Sequence, residues 1–316
     1  MNAFLIAVSL FSLSALIYSI RSLRIIGSKL STLQTQQSKS NKDIQREILE
    51  TRQLIKRASQ GNVHPYFGSK DLSWDFVLSL TSHAPRFHAL QEVLEGLKNQ
   101  VLQPQSIHLN IAREEVGKLP QGVLDLASAG FITITETDDL GPAKKLIPTL
   151  HSSITCPIIV IDDDLSLDPE LFLHLMTQHQ LFPQSIIASR VHQVTINSTG
   201  EINPFSQWNK QYVASDGPAA DLMPTSGAGT LYPAGALHAD AANAASYREL
   251  SEFTDDLWWY FQGRRNGTLV RRISGFSELN FIEATQEAGL WKNGNQDRNE
   301  ANLLKLVKRY GNPLQM

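Results

Sequence analysis

Ile158-Ile159-Val160-Ile161-Asp162-Asp163-Asp164 is the stretch whose reading decides this chain. An apolar, β-branched run ends abruptly in three carboxylates. A strand buried on both faces of a parallel sheet reads as such a run. In open α/β sheets, ligands sit just outside the carboxyl ends of the strands. Three adjacent acids repel one another there unless a cation offsets them. Oxygen-only ligands suit Mg²⁺ or Mn²⁺, which keep waters and also hold substrate phosphates. The triplet therefore points to a divalent-metal site for a phosphorylated or diphosphate substrate. The competing reading is a solvated acidic turn, or an acidic cap cluster for a helix beginning near Asp168-Pro169-Glu170, with Asp168 as the cap.

Around that stretch the pattern alternates. Phe76–Leu80, Ser106–Ile111, Phe131–Thr135, Pro157–Ile161 and Ile186–Val191 read as strands. Arg86–Gln100, Ala143–Leu150 and Leu171–His179 carry helical spacing. The alternation predicts an α/β domain with a mostly parallel sheet flanked by helices. After Val191 the order is less regular. Residues 203–220 read as a long loop, and Thr225–Pro233 as a Gly-rich approach to a short strand. Glycines there let a backbone come close to a ligand or neighbour. No Gly-Lys-Ser/Thr follows, so this is not a phosphate P-loop.

The chain has 316 residues, 42% hydrophobic and 19% charged, with net charge -3. That is ordinary globular composition, without a basic field for nucleic acid. The single Cys156 excludes an intrachain disulfide framework and reads as a buried, inert thiol. Ala3–Ile20 is uncharged and close to the minimum length for a spanning helix. No basic residue precedes it, whereas Arg21, Arg24 and Lys29 follow. This favours a retained single-pass anchor over a cleaved leader, with the C-terminal bulk cytoplasmic. A peripheral or packed apolar helix is the other reading. Residues 28–59 are polar, with Leu30, Ile44, Ile48, Thr51 and Ile55 on or near a 3/4 spacing. They read as a helical stalk able to self-associate as a weak coiled coil, or as an exposed linker helix. The resulting division is an anchor at 1–27, a stalk at 28–68 and a catalytic domain at 69–316.

Three further segments carry chemistry. At Ser79–Phe87 a strand ends and a helix starts. Its backbone N–H groups, with Thr81, Ser82 and Arg86, suit a base, ribose or phosphate, although a capped turn with an exposed Arg has the same composition. At Asp138–Pro148 a Gly-Pro turn places Lys144 and Lys145 in a first helical turn, where the helix dipole disfavours cations. A diphosphate or the Asp triplet nearby would explain them, and solvated lysines are the alternative. At Thr254–Tyr260, one of Asp255 and Asp256 suits a general base, while acids also favour helix starts. Trp258, Trp259 and Tyr260 either face a sugar or belong to the core. His238 is a lone candidate third metal ligand. Arg264-Arg265 and Arg271-Arg272 fit a phosphate contact or, better, solvated turns.

The ordered series resembles a GT-A glycosyltransferase, of the kind grouped with family 2-like bacterial enzymes. It comprises Leu78–Phe87, Asp139–Pro148, Ile159–Asp164, Gly227–Pro233 and Thr254–Trp258, and the resemblance spans roughly Trp74 to Phe281. It implies a GT-A-like (Rossmann-like) fold behind the anchor and stalk. It implies transfer of a sugar from a nucleotide-sugar donor to a glycan or glycolipid acceptor at the membrane. Asp162-Asp163-Asp164 matches the acidic metal-and-donor element. Asp164 would bind Mn²⁺ or Mg²⁺ under the diphosphate, and Asp162 would contact ribose or the metal and its waters. Thr81, Arg86 and Asp163 would lie in the donor pocket, with Lys144 or Lys145 at the nucleotide or diphosphate. Asp255 or Asp256 would activate the acceptor. The metal's work would be to neutralise charge on the leaving diphosphate. His83 stands where the pattern has an aromatic Tyr, and Ala228 interrupts a glycine run.

The alternative is a haloacid-dehalogenase-like phosphatase. Asp162–Ser166 resembles that superfamily's strand end, with Asp162 as nucleophile, Asp164 as acid/base and Asp255-Asp256 as its later acidic pair. Its nucleophile strand normally opens the domain, whereas several strand–helix units precede Asp162 here. A non-catalytic membrane scaffold assembled through the stalk is the third class.

Overall fold

The computed structural model describes residues 73–276, 278–282 and 295–316. The chain divides into Met1–Asp71 and Leu72–Met316. The expected anchor and stalk lie outside the described residues. Among those described, no helix is long and apolar enough to cross a membrane.

The hydrophobic runs form the expected strands. β1 (Val77–Thr81), β2 (Ser106–Ala112), β3 (Thr133–Thr137) and β4 (Ile158–Val160) are mutually parallel, in spatial order β3-β2-β1-β4. Side chains alternate between two cores, as a period of two requires. Ile158 and Val160 join one core, and Ile159 and Ile161 the other. The order leaves β1 first toward β2 and β3, then returns on its other side to β4. The crevice outside the carboxyl ends of β1 and β4 is therefore the switch point of the sheet, where ligands of such folds bind.

Helices connect the strands: α1 (Phe87–Gly96), α2 (Gln121–Ser128), the single-turn α3 (Ile147–Leu150) and α4 (Leu171–Leu181). The helix expected over Ala143–Leu150 is broken. Gly141–Lys145 is a 3₁₀ turn, and α3 starts only after Leu146, whose φ is -132°. Pro148 explains the break, because its ring and missing N–H prevent continuation of a preceding helical turn. Asp168 opens α4 through a local turn, accepting from the Glu170 amide at 2.8 Å, rather than through a side-chain cap on the helix itself.

The second half of the sheet departs from the parallel pattern. The run Ile186–Val191, expected as one strand, splits into β5 (Ile186–Ala188) and β6 (Val191–Gln193). Between them, the Ser189 amide donates to the Gly229 carbonyl at 3.0 Å, and its hydroxyl to the Ala228 carbonyl at 2.6 Å. These bonds turn the chain out of the main sheet. β6 then pairs antiparallel with β7 (Leu222–Pro224). The Gly-rich segment leads into β8 (Thr230–Tyr232), which lies antiparallel between β4 and β5. Gly229 has φ +107°, a value that admits glycine far more readily than other residues, and it turns the chain into β8. β9 (Val270–Arg272) closes the edge beside β5, for a full order of β3-β2-β1-β4-β8-β5-β9.

α5 (Ala244–Ser251), α6 (Asp255–Arg265) and α7 (Asn295–Tyr310) cover this half. Trp258, Trp259 and Tyr260 are all buried, so they are core residues and offer no face to a sugar. Arg264 and Arg272 are buried as well, not solvated. The Arg264 guanidinium donates to the carbonyls of Pro313, Thr268 and Met316, and Arg272 pairs with Asp216.

Candidate active site at the carboxyl ends of β1 and β4

Each arm of the site is set by its backbone. β4 ends at Val160, and the chain delivers Asp162, Asp163 and Asp164 into the crevice. The Asp162 amide donates to the Gly227 carbonyl at 2.9 Å. β1 ends at Thr81 and delivers Ser82 and, through a short 3₁₀ turn over Ala84–Arg86, the side chain of Arg86.

These residues meet. Ser82 Oγ donates to Asp163 Oδ2 at 2.5 Å, and Arg86 Nη1 to Asp163 Oδ1 at 2.6 Å. Arg86 Nη2 lies 3.0 Å from Asp164 Oδ2. Burial opposes the Arg86 charge, but Asp163 and Asp164 outweigh it and raise its pKa.

Lys145 is the second cation. It is buried, pairs with Asp162 Oδ1, and lies 3.1 Å from Asp255 Oδ2. Burial again opposes the charge, and Asp162 and Asp255 overcome it, so the ammonium is held well above its ordinary range. Of the two explanations for the lysine pair, the acidic partner holds and the solvated one does not. Lys144 faces elsewhere: it is buried and donates to Asp139 Oδ1 at 2.5 Å, outside the triplet.

A buried polar network that no motif announces holds Lys145 in place. Ser79 Oγ donates to the Lys145 carbonyl at 2.6 Å and lies 2.7 Å from Thr149 Oγ1. Asn110 Nδ2 donates to both hydroxyls, at 3.1 and 3.2 Å. The interruption of apolar residues by Ser79 and Asn110 within strands is the only sequence trace of it. Thr81 is tied to the same frame, its hydroxyl donating to the Asn110 carbonyl at 2.6 Å.

The opposite wall is Asp255 and Asp256 at the start of α6. Asp256 Oδ1 accepts from the Ser226 amide at 2.8 Å and from the Ser226 hydroxyl at 2.5 Å. Burial, then the charge of Asp255, raises the Asp256 carboxyl to about 6. Next to Ser226, Gly227 sits directly against the Asp162 carboxylate. A Cβ there would fall 1.7 Å from Asp162 Oδ2. The Gly-rich approach is legible in the sequence, whereas the role of Ser226 depends on a contact 30 residues away.

Among the described residues, no group of three or more His, Cys, Asp or Glu side chains converges on a metal position. What the crevice offers is two carboxylates that each keep one oxygen without a donor among the described residues: Asp162, with its Oδ1 on Lys145, and Asp164, with its Oδ2 on Arg86. That set fits an ion such as Mg²⁺ or Mn²⁺, which uses one or two carboxylates plus substrate phosphates. Burial, then the charge of Asp162, pushes the Asp164 carboxyl up to about 7. Four carboxylates, Asp162, Asp163, Asp164 and Asp255, stand against the two cations Arg86 and Lys145. His238 joins no such set; it caps a turn by accepting from the Asp240 amide at 3.1 Å.

No protein-family model matches the chain, and no curated protein does. Solved structures that it resembles include glycosyltransferases. Residues 1–349 of TarS from S. aureus share 11% identity, with a TM-score of 0.45 over 75% of this chain and 72% of that one. The mannosyltransferase PcManGT from Pyrobaculum calidifontis, in complex with GDP-Man and Mn²⁺, also shares 11% identity, with a TM-score of 0.43 over 74% of this chain and 64% of that one. A 4-diphosphocytidyl-2C-methyl-D-erythritol synthase from Anaerococcus prevotii shares 14%, with a TM-score of 0.40 over 71% of this chain and all of that one.

Proposed function

We propose that this protein is a glycosyltransferase that moves a sugar from a nucleotide-sugar donor to a hydroxyl of a glycan or glycolipid acceptor. The observation that carries the reading is the convergence at one sheet switch point of an acid triplet, two cations paired with it and a separately held carboxylate. The triplet with Arg86 and Lys145 forms the donor end, and Asp256 faces it from α6.

Asp256 is the better base of the α6 pair. Asp255 is engaged by Lys145, whereas Asp256 hangs from Ser226 by one oxygen and keeps the other for a proton. A base raised toward neutral pH accepts a proton more readily than an ordinary carboxylate while remaining ionised at pH 7. In the step, the acceptor oxygen bonds to the anomeric carbon as the bond from that carbon to the diphosphate breaks, and the hydroxyl proton passes to Asp256. Asp162 and Asp164 would hold a divalent ion that, when bound, neutralises charge developing on the departing diphosphate. Lys145 bridges Asp162 and Asp255, so it fixes the spacing between donor end and base.

A thermal-shift panel of nucleotide-sugars on the full chain, with and without Mn²⁺, tests this. We expect stabilisation by at least one nucleotide class, dependent on Mn²⁺ and abolished in Asp164→Asn. If no nucleotide stabilises the protein, the reading fails. The phosphatase alternative gains nothing from the sheet, since Asp162 follows its fourth strand. Release of phosphate from a generic phosphate ester would revive it.

The proposal includes membrane attachment through residues 1–27 with the catalytic domain on the cytoplasmic side. Fractionation of the full chain beside a chain lacking those residues checks it, and an unchanged distribution would remove the anchor from the account.

A further inference from the structure

Arg190 lies in the break between β5 and β6, and nothing in the proposed transfer step uses it. Its side chain is half-buried. Nη1 donates to Thr225 Oγ1 at 3.2 Å, while Nε is buried with no partner among the described residues. Arg86, Arg265 and Arg272 each have a carboxylate partner. Arg190 has none among the described residues. A half-buried guanidinium with no carboxylate in ion-pair contact among the described residues is incompletely repaid for its desolvation.

Its position is specific. The Thr225 amide donates to the Arg190 carbonyl at 3.0 Å, and the next residue is Ser226, which holds the base. Asp256 is near enough for its charge to oppose the effect of burial on Arg190. Two more basic side chains are near enough to feel the charge of Arg190. Lys210 donates to the Phe205 carbonyl at 2.6 Å and stacks 3.1 Å from the Phe205 ring centre. Burial lowers its ammonium to about 8; Glu300 opposes that and Arg190 adds to it. Burial holds His192 neutral, near 3, with Arg190 and Lys210 contributing, and its Nδ1 accepts from the Gln211 amide at 3.2 Å. An unmatched buried N–H of Arg190, with a second cation, Lys210, near enough to feel its charge, describes a place prepared for an anion.

The geometry points to Arg190 as the anchor for an anionic group on the acceptor, a phosphate or a carboxylate close to the hydroxyl that Asp256 activates. This rests on the reading of Asp256 as base. A planar guanidinium matches either oxyanion through paired N–H donors, which a point charge cannot do. The proposal narrows the acceptor class from any glycan to one charged near its reacting hydroxyl.

The test is calorimetric titration of the full chain at constant ionic strength with inorganic phosphate, with acetate and with neutral glycerol. We expect one or both anions to bind and glycerol not to. Arg190→Gln should weaken the anion roughly tenfold, the size of one charge-assisted hydrogen bond. Arg190→Lys, which keeps the charge and should fold if Gln does not, should weaken it less. The stronger anion distinguishes phosphate from carboxylate. Absence of anion binding, or equal binding by parent and both variants, overturns the proposal. The titration needs no donor, so a failed nucleotide-sugar panel would sink the transferase reading separately, and an anion failure beside a nucleotide success would sink only this one.

Discussion

The two halves of the crevice solve the same electrostatic problem in opposite ways. On the β1–β4 side, acids and cations neutralise one another: Arg86 with Asp163 and Asp164, and Lys145 with Asp162 and Asp255. On the β8–β5 side, charges are held by neutral groups. Asp256 hangs from Ser226, and Arg190 leans on Thr225. Mutual pairing keeps charges in fixed places and suits a frame for a multiply charged donor. Holding by amides and hydroxyls leaves charge available, which suits a base and a recognition group.

Substitutions on the two sides of the crevice should therefore differ in kind and in size. The largest effect should come from Asp256→Asn, which leaves the Ser226 contact but cannot take a proton. Turnover should fall by roughly 10²–10⁴-fold with donor-induced stabilisation intact, measured as initial rate beside thermal shift. A loss below tenfold would transfer the role to Asp255. Lys145→Gln should be next. It strands Asp162 and Asp255 without their shared cation and should cost about 3–5 kcal/mol in denaturant unfolding. An unchanged midpoint would mean that the pairing does not hold the donor half.

Gly227→Ala probes where the halves touch. Its Cβ would fall on the Asp162 carboxylate, so the loop or the acid must move, costing about 1–3 kcal/mol and weakening nucleotide-sugar binding. Normal binding would show that Asp162 is not positioned by this loop. The smallest effect is a shift in pH dependence. With Asp256 at about 6, activity should fall as pH drops below that value and the base becomes protonated. The Ser226 hydroxyl favours the charged carboxylate, so Ser226→Ala should move the acid limb upward. A limb that stays in place or moves down would separate Ser226 from the base.

The donor side was legible because its chemistry is local. Ile158–Asp164 shows a buried strand and its acidic end in seven consecutive residues, and Ser82–Arg86 lies immediately beyond another strand. The pairing was less so. Lys144 and Lys145 are indistinguishable in sequence, yet one faces Asp139 and the other the crevice, because the 3₁₀ turn separates their directions. The split after Ala188 is marked in the sequence only by Ser189-Arg190 within an otherwise apolar segment, since the bonds that turn the chain come from Ala228 and Gly229.

By itself, then, the sequence determined the strand–helix alternation, the acid-tipped β4 and the short-range candidates around it. Hydrophobic period and residue type act over a few residues and are written directly in the chain. Folding chose which of two lysines completes the triplet and which of two aspartates hangs from Ser226, and it left Arg190 with no carboxylate in ion-pair contact among the described residues. Those outcomes depend on groups 17 to 35 residues apart brought together by sheet order, with an antiparallel β8 inserted among parallel strands. Burial then sets the charge of each group, and burial is a property of the folded chain.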